Sequence, residues 1–323
     1  MRRKESPDQV DVSIALCKKT LTWMLYIDTP LSSPPLVIDV IPVLETFSGI
    51  MYSPYEIMSS EEMDTALKKG TSTIKGICDL LLAHLMDYQR SYIREKLSYN
   101  HVLLNCLDEF GGSSDFSLLI TSSTNVLIQF PLLKKERLHC PDIEYLVDLL
   151  EDNPIMVCLN FGKETNNSSS SSSSIKAQID APTSLPCTKA LSFPSFGADM
   201  QVSDYTSMAE NIISMNLSQR RAFVLEMLRI SASIEFDALD FSFVAFTVRL
   251  KSASMFSVCV VEVRLSHAFP DTLPLASIHD LSTNFSAPIE SHIFSRISQS
   301  EPALIAQDFF KVVCKQIHDQ AFT

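Results

Sequence analysis

The chain has 323 residues, 46% hydrophobic and 20% charged, a composition that can bury a core and argues against wholesale disorder. Its formal net charge of −12 makes it a poor default partner for nucleic acid, whose phosphates attract basic faces. Glycine is scarce at 7 residues, and neither GxGxxG nor GxxxxGK(S/T) occurs, which argues against glycine-rich nucleotide loops.

The N-terminus, Met1-Arg2-Arg3-Lys4-Glu5-Ser6-Pro7, is basic, but no apolar segment follows, so it does not read as a secretory signal. Apolar runs all fall well short of the roughly 20 residues that cross a bilayer. A soluble intracellular protein is therefore expected. Val10 to Leu16 alternates, and Leu21 to Ile27 is rich in aromatic and β-favouring residues, which predicts two strands with a turn at Lys18-Lys19. Pro30, Pro34 and Pro35 fix an extended crossing into a third strand, Leu36 to Ile41. Residues 45–70 read as irregular. Ile77, Leu81, Leu85, Tyr88 and Tyr92 share one face of a helix expected over 74–97, running on toward a stop at Gly111-Gly112.

Further on, Leu118 to Phe130 reads as strand material, Pro141 to Glu151 as a helix-like piece and Pro154 to Phe161 as another strand. The run Ser168 to Ser174 cannot bury apolar area to offset its ordering entropy, so a flexible linker or loop is expected there. Asn167-Ser168-Ser169 matches a glycosylation sequon, discounted without a secretory signal. Leu191-Ser192-Phe193-Pro194-Ser195-Phe196-Gly197 is an apolar, turn-rich entry to a helical region over 207–230, with a break expected near Asn216-Leu217-Ser218. Ile234 to Ala238 is a short strand. Phe243 to Leu250 and Phe256 to Leu265 are strong strands joined by Lys251-Ser252-Ala253-Ser254 as an antiparallel hairpin. Cys259, Val261 and Val263 are expected on one face of the second, with Val258, Val260 and Glu262 on the other. Leu275 to His279 is a further strand. A helix over 302–321 closes the chain, with Ile305, Phe309, Val312, Val313 and Ile317 as its stripe.

Chemistry-bearing residues are sparse. The eight cysteines form no CxxC pair, and His139-Cys140 has no second pair to complete a zinc site. They read as scattered reduced thiols, and neither metal nor cofactor is expected. Lys134-Lys135-Glu136-Arg137 and Arg220-Arg221 read as solvated faces. His267, Asp271, His279 and Asp280 are the one hydrolase-like cluster, but no GxSxG elbow accompanies them.

The order helix, strands, Phe269-Pro270 with Pro274, strand, irregular stretch, helix gives an α+β expectation. It resembles the ubiquitin-conjugating (E2) fold, in which Phe-Pro or Tyr-Pro followed by a proline leads from the third strand into the fourth. Active members then carry His-Pro-Asn and a cysteine that accepts ubiquitin as a thioester. Residues 280–300 contain no cysteine, and Cys259 and Cys314 read as packing residues. The resemblance is therefore to the inactive ubiquitin-conjugating-enzyme variants (UEV). A weaker copy opens the chain: Leu21 to Ile27, Pro34-Pro35, Leu36 to Ile41 and the helix at 74–97. Nothing before Val10 supplies that copy's opening helix, so a truncated or shortened first domain is expected. The anticipated organisation is an incomplete UEV-like domain over 1–110, a connecting region over 111–190 with a degenerate α/β segment and the serine-rich linker, and a UEV-like domain over 191–323.

In order, Leu21-Thr22-Trp23 with Pro34-Pro35, Leu191 to Phe196 with Asp204-Tyr205, Arg220-Arg221 with Ile234 to Ala238, and Phe256 to Val260 with Phe269-Pro270-Asp271 and Pro274 resemble the BRE family. Trp23, Pro34, Pro35, Phe193, Pro194, Phe269, Pro270 and Pro274 carry the motifs, as structural rather than catalytic residues. The resemblance implies a non-catalytic scaffold of the BRISC and BRCA-associated A deubiquitinase complexes, with roles in ubiquitin signalling and DNA repair. Implied partners are a JAMM-type zinc deubiquitinase with its MPN-like companion, a von Willebrand-A-like subunit and polyubiquitin. The alternatives are an α+β interaction module without a ubiquitin link, or an active conjugating enzyme. A four-stranded meander within 234–280 is the structural feature whose absence favours the former.

Overall fold

The computed structural model describes residues 8–28, 35–58, 60–69, 73–111, 116–135, 138–163, 173–251, 256–281, 285–289, 294, 297 and 301–321. Across them the chain is mixed α+β with three antiparallel sheets, where two meanders were expected. It divides into two compact units, each drawn from separate stretches: 1–131, 156–180 and 195–205 in one, 132–155, 181–194 and 206–323 in the other.

In the first unit, β1 (Asp8–Leu16), β2 (Lys19–Asp28) and β3 (Leu36–Pro42) form the first sheet. Leu16 pairs with Lys19, so the turn is Cys17-Lys18, one residue earlier than expected. Both turn residues have positive φ, 48° and 67°, the handedness that suits a two-residue hairpin. Alternation sends Leu21, Trp23, Leu25 and Ile27 inward. The expected irregular segment 45–70 is partly helical: a 3-10 turn at Leu44–Phe47, then α1 (Pro54–Met58) and α2 (Glu61–Lys69). Ser60 Oγ accepts the amide of Met63 at 3.1 Å, and Glu61, Glu62 and Asp64 suit the positive end of α2. These local caps outweigh the weak periodicity.

Helix α3 (Ile74–Lys96) starts on a Thr73 cap and lays Ile77, Leu81 and Leu85 into the core with Trp23 and Leu25. It stops at Leu97 instead of continuing to Gly111. Asn100 opens a separate helix, α4 (His101–Phe110), by accepting the Leu103 amide at 3.1 Å. A capping asparagine favours a restart over continuation.

Leu118 to Phe130 is two strands, β4 (Ser117–Ser122) and β5 (Asn125–Pro131), joined at Ser123-Thr124. With β6 (Met156–Lys163) and β7 (Ser173–Asp180) they form the second sheet. Gln89 of α3, fully buried, donates to Leu118 O at 2.8 Å and accepts from Ile120 N at 2.9 Å, satisfying both ends of its amide on β4. Ser173 and Ser174, the end of the serine run, pair with Lys163 and Gly162, because a backbone ladder needs no particular side chain; Ser168 to Ser172 lie outside the described residues. The supposed connecting region 111–190 is thus shared between the units, since 117–131 and 156–180 pair across an intervening segment. Such nonlocal pairing leaves no trace in local periodicity.

The second unit contains α5 (Glu144–Leu149), most of α6 (Val202–Ile230), and the third sheet. That sheet runs β12-β11-β10-β9-β8, with β8 (Ala232–Phe236), β9 (Phe243–Lys251), β10 (Phe256–Arg264), β11 (Leu275–Asp280) and β12 (Phe285–Ile289). The meander anticipated over 234–280 is present and gains β12 from the stretch read as irregular. Cys259, Val261 and Val263 are buried, while Val258, Val260 and Glu262 are half-buried, as the alternation required. Helix α6 is unbroken at Asn216. Its first amides, of Val202 and Ser203, each donate to the Glu109 carboxylate at 2.7 Å, an anionic cap. Helix α7 (Pro302–Ala321) has the expected bounds and buries Ile305, Phe309, Val313 and Ile317, with Val312 half-buried. Phe309 stacks on Phe294 at 4.5 Å and meets Phe223 edge-on at 6.0 Å. Each such side chain contributes about 1.5–3 kcal/mol by leaving water.

Candidate functional site

The residues singled out by sequence occupy several places. Trp23 lies in the first unit's core, fully buried, edge-on to Phe47 at 5.0 Å. Pro34 lies outside the described residues, and Pro35 is a half-buried lead-in to β3. Phe193 and Pro194 are half-buried in an irregular segment of the second unit. Phe269, Pro270 and Pro274 meet in the crossing from β10 to β11, which is where the chemistry of the second unit concentrates.

Leaving β10, the chain turns at Ser266 to Asp271. Phe269 N donates to Ser266 O at 3.2 Å, Thr272 N to Ala268 O at 3.1 Å, and the Phe269–Pro270 peptide is cis. Phe269 is 1% exposed and meets Phe223 of α6 at 5.4 Å. Two polar side chains of α6, four residues apart and so on one face, hold this turn. Asn216 Nδ2 donates to Phe269 O at 3.0 Å, and its Oδ1 accepts from Arg220 Nε at 3.0 Å. Arg220 Nη2 donates to Ser266 O. Arg220 was expected on a solvated face, yet it is fully buried, while Arg221 is exposed. The expected helix break at Asn216 fails for a related reason: its amide bonds to the crossing and to Arg220 instead of competing for its own backbone.

Acidic groups complete the cluster. Burial lowers the Arg220 pKa, opposed by the nearby carboxylates of Asp240 and Asp237. Burial raises Asp240, whose Oδ1 accepts from Ser242 N at 3.0 Å. Asp237 is also pushed upward by burial, but hydrogen bonds outweigh that, from Leu239 N at 2.8 Å and Ser242 Oγ at 2.9 Å among them, and its pKa falls. Arg220 Nη1 and Asp240 Oδ2 are buried without hydrogen-bond partners among the described residues. Above the clamp lies an open cleft of about 380 Å³ lined by Leu191, Ile212, Met215, Asn216, His267 and Pro270.

The contacts described for His279 do not form a relay. His267 and Asp271 are exposed on the turn. His279 Nε2 lies 3.3 Å from Ser277 Oγ and 3.7 Å from Glu262 Oε1. Both contacts use the same ring nitrogen, whereas a relay needs one on each. Burial pushes Cys17, Cys106 and Cys187 up to about 12 and raises Cys78, Cys158 and Cys314, so the thiolate form of these six is disfavoured. No group of three or more His, Cys, Asp or Glu side chains among the described residues could hold a metal ion. No helix among them is long and apolar enough to cross a membrane.

Sequence reasoning passed over the Asn216–Arg220 clamp. The available signal was an Asn-x-x-x-Arg pair on the same helical face as Ile213, Leu217, Val224 and Met227, where a solvated arginine has no place. No protein-family model matches the chain, and no curated protein matches it.

Proposed function

We propose that this chain is a non-catalytic scaffold built on UEV-like domains, serving a deubiquitinase assembly of the BRISC and BRCA-associated A type. One observation carries the reading. The order α6, β8 to β11, Phe269-Pro270 with Pro274 between β10 and β11, then β12 and α7, resembles that of a ubiquitin-conjugating fold and supports the reading, while residues 280–300 carry no cysteine. The raised pKa of Cys314 adds to it, since a thioester-forming residue needs an accessible thiolate. In this role the chain joins a JAMM-type zinc deubiquitinase and its MPN-like companion to a von Willebrand-A-like subunit in cytoplasm and nucleus, with polyubiquitin as a further ligand and DNA repair among the processes served. The catalysis resides in the partner.

The test is purification of the tagged full chain from its own cells under mild salt. A JAMM-type deubiquitinase and a von Willebrand-A-like protein are expected to accompany it. If neither does, the scaffold reading fails and a ubiquitin-independent interaction module takes its place. A ubiquitin thioester formed by the chain and lost in Cys314→Ala would overturn it in favour of an enzyme.

A further inference from the structure

Helix α3 carries a second face, part apolar and part charged, that its own core does not use. Ile77, Leu81, Leu85 and Ile93 face inward. Asp79, Leu82, Ala83, Met86, Asp87 and Arg90 follow one another at steps of three and one, which places them along one ridge on another side of the helix. With Ile14 to Leu16 of β1 and Phe116-Ser117, this ridge lines an open groove of about 400 Å³ within the first unit. Leu82 is 39% exposed and Ala83 is exposed as well.

The groove has a distinct chemistry. Ile14, Leu82, Met86 and Phe116 make its floor apolar, whereas the lip is acidic. Arg90 meets Asp87 at 3.9 Å and lies over the Phe116 ring at 5.2 Å, so its charge is already engaged. Asp79 is exposed and has no ion pair among the described residues. The lip therefore retains an uncompensated carboxylate. Leu82 and Met86 form a ridge at helical spacing, with the small Ala83 beside it. That pattern interdigitates with a second helix and lets its axis approach to about 8–10 Å.

We propose that this groove seats an amphipathic helix of a partner protein, with apolar side chains on the buried face and a lysine or arginine at the edge that meets Asp79. The proposal does not depend on the deubiquitinase reading. Its footing is the groove's shape and charge, and it stands or falls separately.

The test uses the full chain and a short alanine-based helical peptide with leucines at i, i+4 and i+7 flanked by lysines. A companion peptide carries glutamates in place of the lysines. Fluorescence anisotropy is expected to show saturable binding of the lysine peptide, at least about tenfold tighter than the glutamate peptide. Leu82→Glu should weaken it at least about tenfold, and Asp79→Lys should reverse the preference between the peptides. Both positions are exposed on α3, and unchanged thermal melts by circular dichroism establish that the variants fold. Absence of saturable binding, equal affinity for the two peptides, or indifference to Leu82→Glu overturns the proposal. So does a wild-type dimer in sedimentation that Leu82→Glu disperses, since the occupant is then a second copy of this chain.

Discussion

Helix α3 meets the first sheet with Ile77, Leu81 and Leu85, all apolar, whereas α6 meets the third sheet with Phe223, Val224 and Met227 and also with a buried amide and guanidinium. The apolar contact is forgiving: any well-shaped hydrophobe of similar volume fills it. The polar contact is selective, because Asn216 Nδ2 and Arg220 Nη2 find their acceptors only when Phe269 and Ser266 present their carbonyls in one place. Hydrophobic burial holds both cores together, and the polar pair adds the specification of where one loop lies.

If the clamp matters as this contrast requires, Arg220→Met carries the largest effect. It strips Ser266 O and Asn216 Oδ1 of a charged donor inside a buried site. The expected loss, from two charge-assisted hydrogen bonds, is about 3–5 kcal/mol, read as a lower urea midpoint. A loss under about 1 kcal/mol would erase the contrast between the two cores. Asn216→Ala should cost less, about 1–3 kcal/mol, with faster hydrogen exchange at the Phe269 and Thr272 amides than elsewhere in the third sheet. On the apolar side, Trp23→Phe should cost about 1–2 kcal/mol, the cavity left by the smaller ring, because Trp23 Nε1 has no hydrogen-bond partner to lose. A loss as large as that of Arg220→Met would show that shape alone can be as exacting as the polar clamp.

The smallest effect concerns pH. Burial holds the Glu210 carboxyl above its ordinary 4.5, against the hydrogen bond its carboxylate accepts from His139 N at 2.8 Å. The folded state thus keeps this proton to a higher pH than the unfolded chain. Stability from this group is present below 4.5 and is lost as pH rises through the folded value. Glu210→Gln should flatten that slope in denaturation curves taken from acid to neutral pH. An unchanged slope would mean that Glu210 titrates alike in both states.

Elements with strong periodicity were legible from the residues alone. The closing helix has the bounds expected of it, the helix from Ile74 ends one residue early, and the hairpin of β9 and β10 pairs as anticipated. What escaped was either capped locally or paired at a distance. Helices α1 and α2 are too short for periodicity to declare them. β7 begins inside a serine run, and β12 becomes a strand only because β11 offers it an edge. The crossing was legible from its prolines, but the clamp beneath it was not. A lone Arg-Arg pair says nothing of which arginine points inward until the stripe through Ile213, Leu217 and Val224 is drawn around it.

The burial of Trp23 has an optical consequence. It is the chain's single tryptophan, its indole is shielded from water, and its N–H meets no hydrogen-bond acceptor among the described residues. Its emission should therefore lie toward the blue in the folded chain and shift red only when the first unit opens. Far-ultraviolet dichroism, which sums over every helix, reports both units at once. Recording the two signals along one denaturation curve distinguishes a chain that melts as a whole from one whose units part company.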